Sequence, residues 1–413
     1  MIATTDGEVD DRCSMIRFLL YANEWDILGL IHSSSKYHWK GDATRPGHRW
    51  ESVSWLERQL DAYAQVYPNL KVHDPDYPSP EYLRSQVFVG NIALEGDMRE
   101  PTPGSNRIVE VLLAPDDSPV WLQAWGGSNT IARALKTIKE NSPDRVEDVT
   151  KRGRIYLITE QDDTLKTYIR PEWPGIQVLR SGGDSFGAIA YHWQKIQPND
   201  IQSYFDREWM TANILEGHGP LCALYEAKDG RFRSEGDTPA FLHVIETGLR
   251  SAEHPSYGGW GGRFAFSNGV WKSVDTEDSS PHSILRWAKE FQNDWAARAD
   301  WCVLGYDEAN HPPQVALGCR HQLTARPGER LELDASDSTD PDGDRLVFNW
   351  WLYAEPGSYR GPVAIERARG AVATLAIPGD AVPGESLHVI CTATDSGDPP
   401  LSRYARVIIT VGK

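Results

Sequence analysis

The chain has 413 residues, a formal net charge of −17, 40% hydrophobic and 24% charged residues. That length suits two or three domains, the apolar content suits an ordinary packed core, and the acidic balance speaks against nucleic acid and anionic membranes as partners. No apolar run approaches the roughly 18 residues of a transmembrane helix. No leader peptide is visible, and a chain that opens almost inside its first strand is compatible with a leader already removed. Secretion or a periplasmic location is therefore expected, with a cytoplasmic one left open. The five cysteines, Cys13, Cys222, Cys302, Cys319 and Cys391, show no zinc spacing. One disulfide, for example Cys319–Cys391, is left open, as is a homodimer. Sixteen tryptophans suit either core packing or stacking on sugar rings.

In chain order, an apolar start runs into a turn with four acids, Asp6, Glu8, Asp10 and Asp11. An apolar segment of helical character, Cys13 to Tyr21, and a second strand, Asp26 to Ile31, follow. Strand, acidic turn, helix, strand is a βαβ unit, and its first turn lies at the carboxyl edge of a parallel sheet, where open α/β folds place ligands. Four carboxylates in six residues repel one another unless a helix N-terminus or a hard cation offsets them. A solvated N-cap turn and a metal site both fit. The loop His32 to Gly41 follows the second strand, and its Lys36, His38 and Trp39 are candidate ligand contacts or plain surface.

Trp50 to Val66 has the stripe of an amphipathic helix. Residues 67–105 are rich in Pro, Asp and Gly and predict little regular structure, and Ser105 to Leu113 predicts a short helix. Pro119 to Trp125 predicts a buried strand, followed by Gly126-Gly-Ser-Asn-Thr130 and a helix carrying Ile131, Leu135 and Ile138. The glycines suit close backbone approach to a ligand. A phosphate loop lacks its G-K-[ST] ending, and a plain tight turn also fits. Arg154 to Thr159 predicts another strand, with Glu160, Asp162 and Asp163 at its end as acids or as caps of a helix over Thr164 to Ile169. Ile176 to Arg180 and Ser181-Gly-Gly-Asp184 repeat the strand-then-turn pattern, so a mostly parallel sheet is expected.

Asp206 to Gly217 reads as a helix ending at His218, a candidate general acid or a capping histidine. Ser234-Glu-Gly-Asp-Thr-Pro239 opens another helix, with Asp237 at its start and Glu235 a candidate contact. Glu253 to Arg263 sets Tyr257 and Trp260 among four glycines, an aromatic rim suited to sugar. A helix from His282 to about Ala299 should pack on the sheet. Residues 305–312 are linker-like. From 313 to 413 the alternation of an all-β sandwich takes over, with strands near 330–334, 346–350, 372–377, 387–391 and 405–411.

Thr5-Asp6-Gly7-Glu8-Val9-Asp10-Asp11 resembles the D-x-D-x-x-x-D-D motif that opens the nucleoside hydrolase fold, with Thr4 where that motif has its first Asp. Gly126 to Asn129 resembles the family's G-P-L-T turn, and Asp237-Thr-Pro239 resembles its H-D-P, with Gly236 in place of the His. The whole chain is similar to the bacterial nucleoside-hydrolase-like proteins described as cellulose-binding, which carry an immunoglobulin-like C-terminal domain. Asp334-Ala-Ser-Asp-Ser-Thr-Asp-Pro-Asp-Gly-Asp344 further resembles a run of polycystic-kidney-disease-type and cadherin-like domains. There Asp340, Asp342 and Asp344 hold a second cation or form a hydrogen-bonded turn.

The resemblance implies an α/β domain over 1–304, a linker over 305–312 and an immunoglobulin-like sandwich over 313–413. It implies a Ca²⁺ held by Asp6, Asp11, the Asn129 carbonyl and Asp237, with Asp6 as general base and Asp10 on a ribose-like hydroxyl. The leaving-group acid lost at Gly236 would pass to Glu160, Asp162, Asp163 or His218. The expected activity is a calcium-dependent glycosidase acting on a furanose-like N- or O-glycoside. The alternative is a non-catalytic carbohydrate-binding protein using the same pocket.

Overall fold

A computed structural model describes residues 1–182, 184–274 and 282–413, so Gly183 of the predicted turn lies outside the described residues. Strands β1 (Ile2–Thr5), β2 (Gly29–His32), β3 (Trp39–Gly41), β4 (Pro46–His48), β5 (Val87–Val89), β6 (Val120–Ala124), β7 (Gly153–Ile158), β8 (Gln177–Ser181), β9 (Phe264–Ser267) and β10 (Val270–Ser273) belong to the first domain. Eight of them form one sheet in the order β5-β2-β1-β6-β7-β8-β10-β9. All neighbours are parallel except β9 and β10. The predicted mostly parallel sheet is therefore present, with an antiparallel hairpin at one edge that the sequence reading did not contain.

The central strands are buried on both faces, as parallel strands covered by helices must be. Alternate residues serve opposite cores. Ala3, Leu30, Tyr156 and Leu179 pack with α1 (Val9–Leu20), α2 (Ser54–His73) and the helix Ala288–Asp300. Ile2, Ile31, Leu122, Ile155 and Val178 pack on the other side with α4 (Pro103–Leu113) and α5 (Asn129–Asn141). Ten of the tryptophans are buried and the other six half-buried, so these rings serve packing and form no exposed sugar platform.

Several expectations need correction. The first helix begins at Val9, not Cys13, so Asp10 and Asp11 stand in its first turn. Helix α2 runs through Pro68 to His73, because Leu70 is buried and His73 bonds to the Leu304 carbonyl. α3 (Pro80–Ser85) and β5 lie in the stretch read as irregular. The predicted 282–299 helix is broken into His282–Leu285 and Ala288–Asp300.

The C-terminal region is two sheets facing one core. β11 (Gln322–Ala325), β17 (Ser402–Val411), β16 (Ser386–Thr394) and β13 (Val347–Leu352) form one, and β12 (Arg330–Asp334), β15 (Val372–Ala376) and β14 (Ala364–Glu366) the other. Leu333, Trp350, Leu375, Val389, Cys391 and Val407 fill the space between them. All five cysteines are free thiols, so the Cys319–Cys391 pairing is not made. The 340–344 run is a hydrogen-bonded turn: Asp340 accepts from the Asp342 and Asp344 amides, and Asp342 accepts from His311.

The linker-like stretch is pinned between the two parts. Tyr306 stacks on His311 at 4.0 Å, and Asn310 donates to Asp395 and to the Pro399 carbonyl. Arg406, fully buried, donates to the carbonyls of Leu249, Tyr257 and Gly258 across the same seam.

Candidate functional site

The parallel register brings the carboxyl ends of β1, β2 and β6 together: Thr5 pairs with His32 and Thr4 with Ala124. The turn after β1 is tightly held. Thr5 Oγ1 donates to Asp11 Oδ1 at 2.5 Å, and the Asp6 amide donates to the same oxygen at 3.2 Å. The Gly7 amide bonds back to Thr5 Oγ1 and the Glu8 amide to Asp6 Oδ1. Arg12, paired with Glu226, donates to the Gly7 carbonyl at 2.6 Å. Gly7 is required here: its φ is +79°, and a Cβ would lie 2.8 Å from Trp55 Nε1.

Three other segments close on this turn. A Cβ on Gly126, after β6, would stand 2.8 Å from the Asp6 Cβ, so the glycine turn gives Asp6 its room. Asp237 enters at the start of the helix Thr238–Leu242. Asp10, Asp11 and Asp237 present oxygens within 4.8 Å of one another. From the loop after β2, His38 Nδ1 comes within 3.6 Å of Asp6 Oδ2 and 3.8 Å of Glu8 Oε2. The Tyr191 hydroxyl reaches Glu8 Oε1 at 3.0 Å and Asp10 Oδ1 at 3.2 Å.

The electrostatics are those of uncompensated acids. Burial, reinforced by Glu8 and Asp6, pushes Asp10 up to about 7. Burial, then the charges of its neighbours, raises Asp11 and Asp237 well above the usual carboxylate range. Burial and Asp6 raise Glu8. For His38, burial works against the charged form, but Asp6, Glu8 and Asp10 outweigh it and raise its pKa. Asp6 Oδ2 and Asp237 Oδ2 are buried without a hydrogen-bond partner.

The structure thus brings Asp6, Asp10, Asp11, Asp237 and His38 together and assigns the other predicted residues elsewhere. Asp162 is buried and spent on the Ser128 hydroxyl and the Asn129 and Thr164 amides, so it anchors turns and carries no acid role. Glu160 pairs with Arg180 at 2.7 Å. Asp163 is exposed and caps the following turn through its carbonyl. His218 bonds to Asp300 at 3.0 Å and lies at the N-cap of the short helix Gly219–Ala223, beside α2. Glu235 is buried against Arg17 at 2.9 Å, not facing a ligand.

Trp39 is covered by His48 and Arg45. Tyr257 and Trp260 face the C-terminal domain: Tyr257 packs on His388 and Arg406, and Trp260 is buried against Tyr404. Docking of that domain consumes the predicted aromatic rim. Lys36 remains exposed, with Nζ on the Glu160 carbonyl. Asn129 opens α5 and ties the 91–97 loop through its side-chain amide to Asn91 and Asp97.

Tyr191 and Thr5 were missed. Tyr191 falls in a stretch of short helices with no periodic signal, whereas the position of Thr5 beside Asp6 was a usable cue. A cavity of about 660 Å³ lies around Met1, Trp25, Trp121 and Glu246, at the amino edge of the sheet, and none of the predicted site residues lines it.

The family model for the nucleoside hydrolase-like domain of cellulose-binding Sde182 matches residues 1–264. That for the C-terminal domain of cellulose-binding protein Sde0182 matches residues 330–411. A nucleoside hydrolase-related protein from Saccharophagus degradans, associated with carbohydrate metabolism, shares 32% identity and a TM-score of 0.83, over 99% of this chain and 98% of that one. The PKD domain of the KIAA 1837 protein aligns with 24% of this chain and 88% of its own at 21% identity and a TM-score of 0.19. No curated protein matches. With its first 264 residues matching that model and the Saccharophagus degradans fold shared end to end, the chain belongs to the Sde182 family of nucleoside hydrolase-like, cellulose-binding proteins.

Proposed function

We propose that the protein is a calcium-dependent glycosidase acting on a furanose-like glycoside of plant or polysaccharide origin. The observation that supports this reading is the convergence of half-buried Asp10 with buried Asp11 and Asp237 beside Asp6, uncompensated by any lysine or arginine within salt-bridge distance among the described residues. An all-oxygen set of this kind suits a hard cation, and the orphaned Asp237 Oδ2 is a ready ligand atom. Asp11 and Asp237 would hold Ca²⁺, flanked by Asp6 and Asp10. Bound there, it would supply charge neutralisation and a lowered pKa for water.

Asp6, with one oxygen fixed by the Glu8 amide and the other unpartnered, serves as general base towards a water at the anomeric carbon. Asp10, half-buried and steadied by Tyr191, takes a sugar hydroxyl. The leaving group receives less help. A Cβ at Gly236 would lie 2.9 Å from Asp10 Oδ2, so a side chain in the family histidine's position would have to displace the Asp10 carboxylate. Glu160, Asp162 and His218 are engaged elsewhere, and Tyr191 and His38 are the proton-bearing groups left facing the acids. Glycosides whose leaving group departs without strong protonation are the expected substrates.

The vacancy at Gly236, together with the family's cellulose-binding description, supports a second reading, carbohydrate binding without cleavage. Sugar release from nucleosides, aryl furanosides and plant oligosaccharides in Ca²⁺ separates the two. The hydrolase reading expects turnover that Asp6→Asn lowers by at least about 100-fold, the range of general-base catalysis. Retention on polysaccharide with no turnover on any glycoside would establish the second.

A further inference from the structure

Across Tyr191 from the acid cluster lies a small hollow of the opposite charge. Lys228-Asp-Gly-Arg231 is a two-residue hairpin turn. Lys228 and Arg231 exchange both backbone hydrogen bonds at 3.0 Å, and Asp229 and Gly230 have φ of +53° and +76°, the two positive values that a type I′ turn requires. The turn sets two cations opposite each other, an arrangement that costs stability. Arg233, two residues on and half-buried, lines the same hollow, because Phe232 between the arginines turns into the core.

The chain has 59 acidic residues to 42 basic ones, and Arg12, Arg17, Arg180 and Arg250 each pair with a carboxylate. Lys228, Arg231 and Arg233 have no ion-pair partner among the described residues. Their charges therefore dominate the local field, since the chain's net charge is screened beyond about 8 Å at physiological ionic strength. The hollow measures about 220 Å³, less than the roughly 300–1,000 Å³ that encloses a whole small ligand. It suits one group of a ligand that extends further, and Tyr191 marks the direction. Its ring carries the Arg233 guanidinium at 5.6 Å and forms part of the wall, while its hydroxyl reaches Glu8 and Asp10. Guanidinium forks match the oxygens of carboxylate and other oxyanions.

We propose that Lys228, Arg231 and Arg233 form an anion subsite beside the acid cluster, and that the glycan ligand carries an acidic substituent, a carboxylate or a sulfate ester. This rests on the carbohydrate reading above, in its hydrolytic or its binding form. The test is calorimetric titration of the full, Ca²⁺-loaded chain with three short oligosaccharides of equal length, one of uronate units, one bearing sulfate esters and one neutral. The expected result is an acidic oligosaccharide bound at least about tenfold more tightly than the neutral one, the scale of one charge-assisted hydrogen bond. The acid that carries the preference names the substituent. Lys228→Glu and Arg231→Glu, both at exposed hairpin positions, each reduce the preference to about twofold or less.

Equal affinity for all three oligosaccharides, or a preference unchanged in both variants, overturns the proposal. If none of the three binds, the carbohydrate reading falls, and inorganic sulfate decides the subsite separately. Calorimetric sulfate binding that Arg231→Glu abolishes keeps the anion site, and absence of such binding overturns it too.

Discussion

Asp237 carries a carboxyl into a buried cluster where Asp11, Asp10 and Asp6 already repel it. Its raised pKa means that the ionised form costs stability at neutral pH. Asp237→Asn is therefore expected to raise the melting temperature of the cation-free protein by on the order of 2–4 °C, the effect of about 1 kcal/mol on a domain of this size. In Ca²⁺ the ranking reverses: the unsubstituted protein gains roughly 2.7 kcal/mol at a hundredfold excess over Kd, and the variant gains nothing. Calorimetry with and without Ca²⁺ reads both signs. Buried histidines set a separate pH limit. Burial lowers His243 to about 3, and burial aided by Arg406 lowers His388 to about 3. The unfolded chain takes up these protons below about pH 6.5 and the native one does not. Stability is therefore full above pH 6.5 and falls on acidification, by roughly 1.4 kcal/mol per histidine at pH 5.5. His243→Phe should lose about that much less than the unsubstituted protein between pH 7.5 and 5.5 in urea titrations.

At the scale of elements, the turn between β1 and α1 depends on one backbone conformation. Gly7→Ala forces a left-handed alanine and a Cβ against Trp55, costing about 1–2 kcal/mol from conformation alone, and it should weaken cation binding together with stability. Thermal melts paired with Ca²⁺ titration test it. This turn was legible in the sequence because its acids follow an apolar run at strand spacing and precede a helix. Asp237, beside a Pro at a helix start, was legible for the same kind of local reason. Asp162 and Glu160 show where local pattern fails. Any acid after a parallel strand looks alike, and Ser128 and Arg180, distant in sequence, decide that these two face the protein. Tyr257 and Trp260 fail similarly: a glycine-rich aromatic loop reads as a ligand rim until another domain packs onto it. The gain of an acid partner by His218 comes from Asp300, 82 residues away, and no window of sequence reveals such a pairing.

At the scale of the molecule, the two parts share a polar and aromatic seam. Trp287 sits against Trp351, Tyr353 and Tyr404, Arg403 meets Asp294 at 2.6 Å, and Arg406 satisfies three carbonyls of the first domain. Arg406→Ala leaves those carbonyls unpaired, each at a cost of about 1–3 kcal/mol, and should split a single calorimetric transition into two. The strand order has a further consequence during synthesis. β1 precedes the other strands of this sheet in the chain yet lies inside it, and its flank towards β6 stays open until residue 124 has emerged. Asp11 then waits for Asp237, more than two hundred residues later, to complete the triad. A ribosome-bound chain therefore exposes a half-paired edge until β6 has emerged and an incomplete acid triad until the Thr238–Leu242 helix has cleared the exit tunnel, at roughly 5–20 residues per second, and the proposed cation can be captured only from then on.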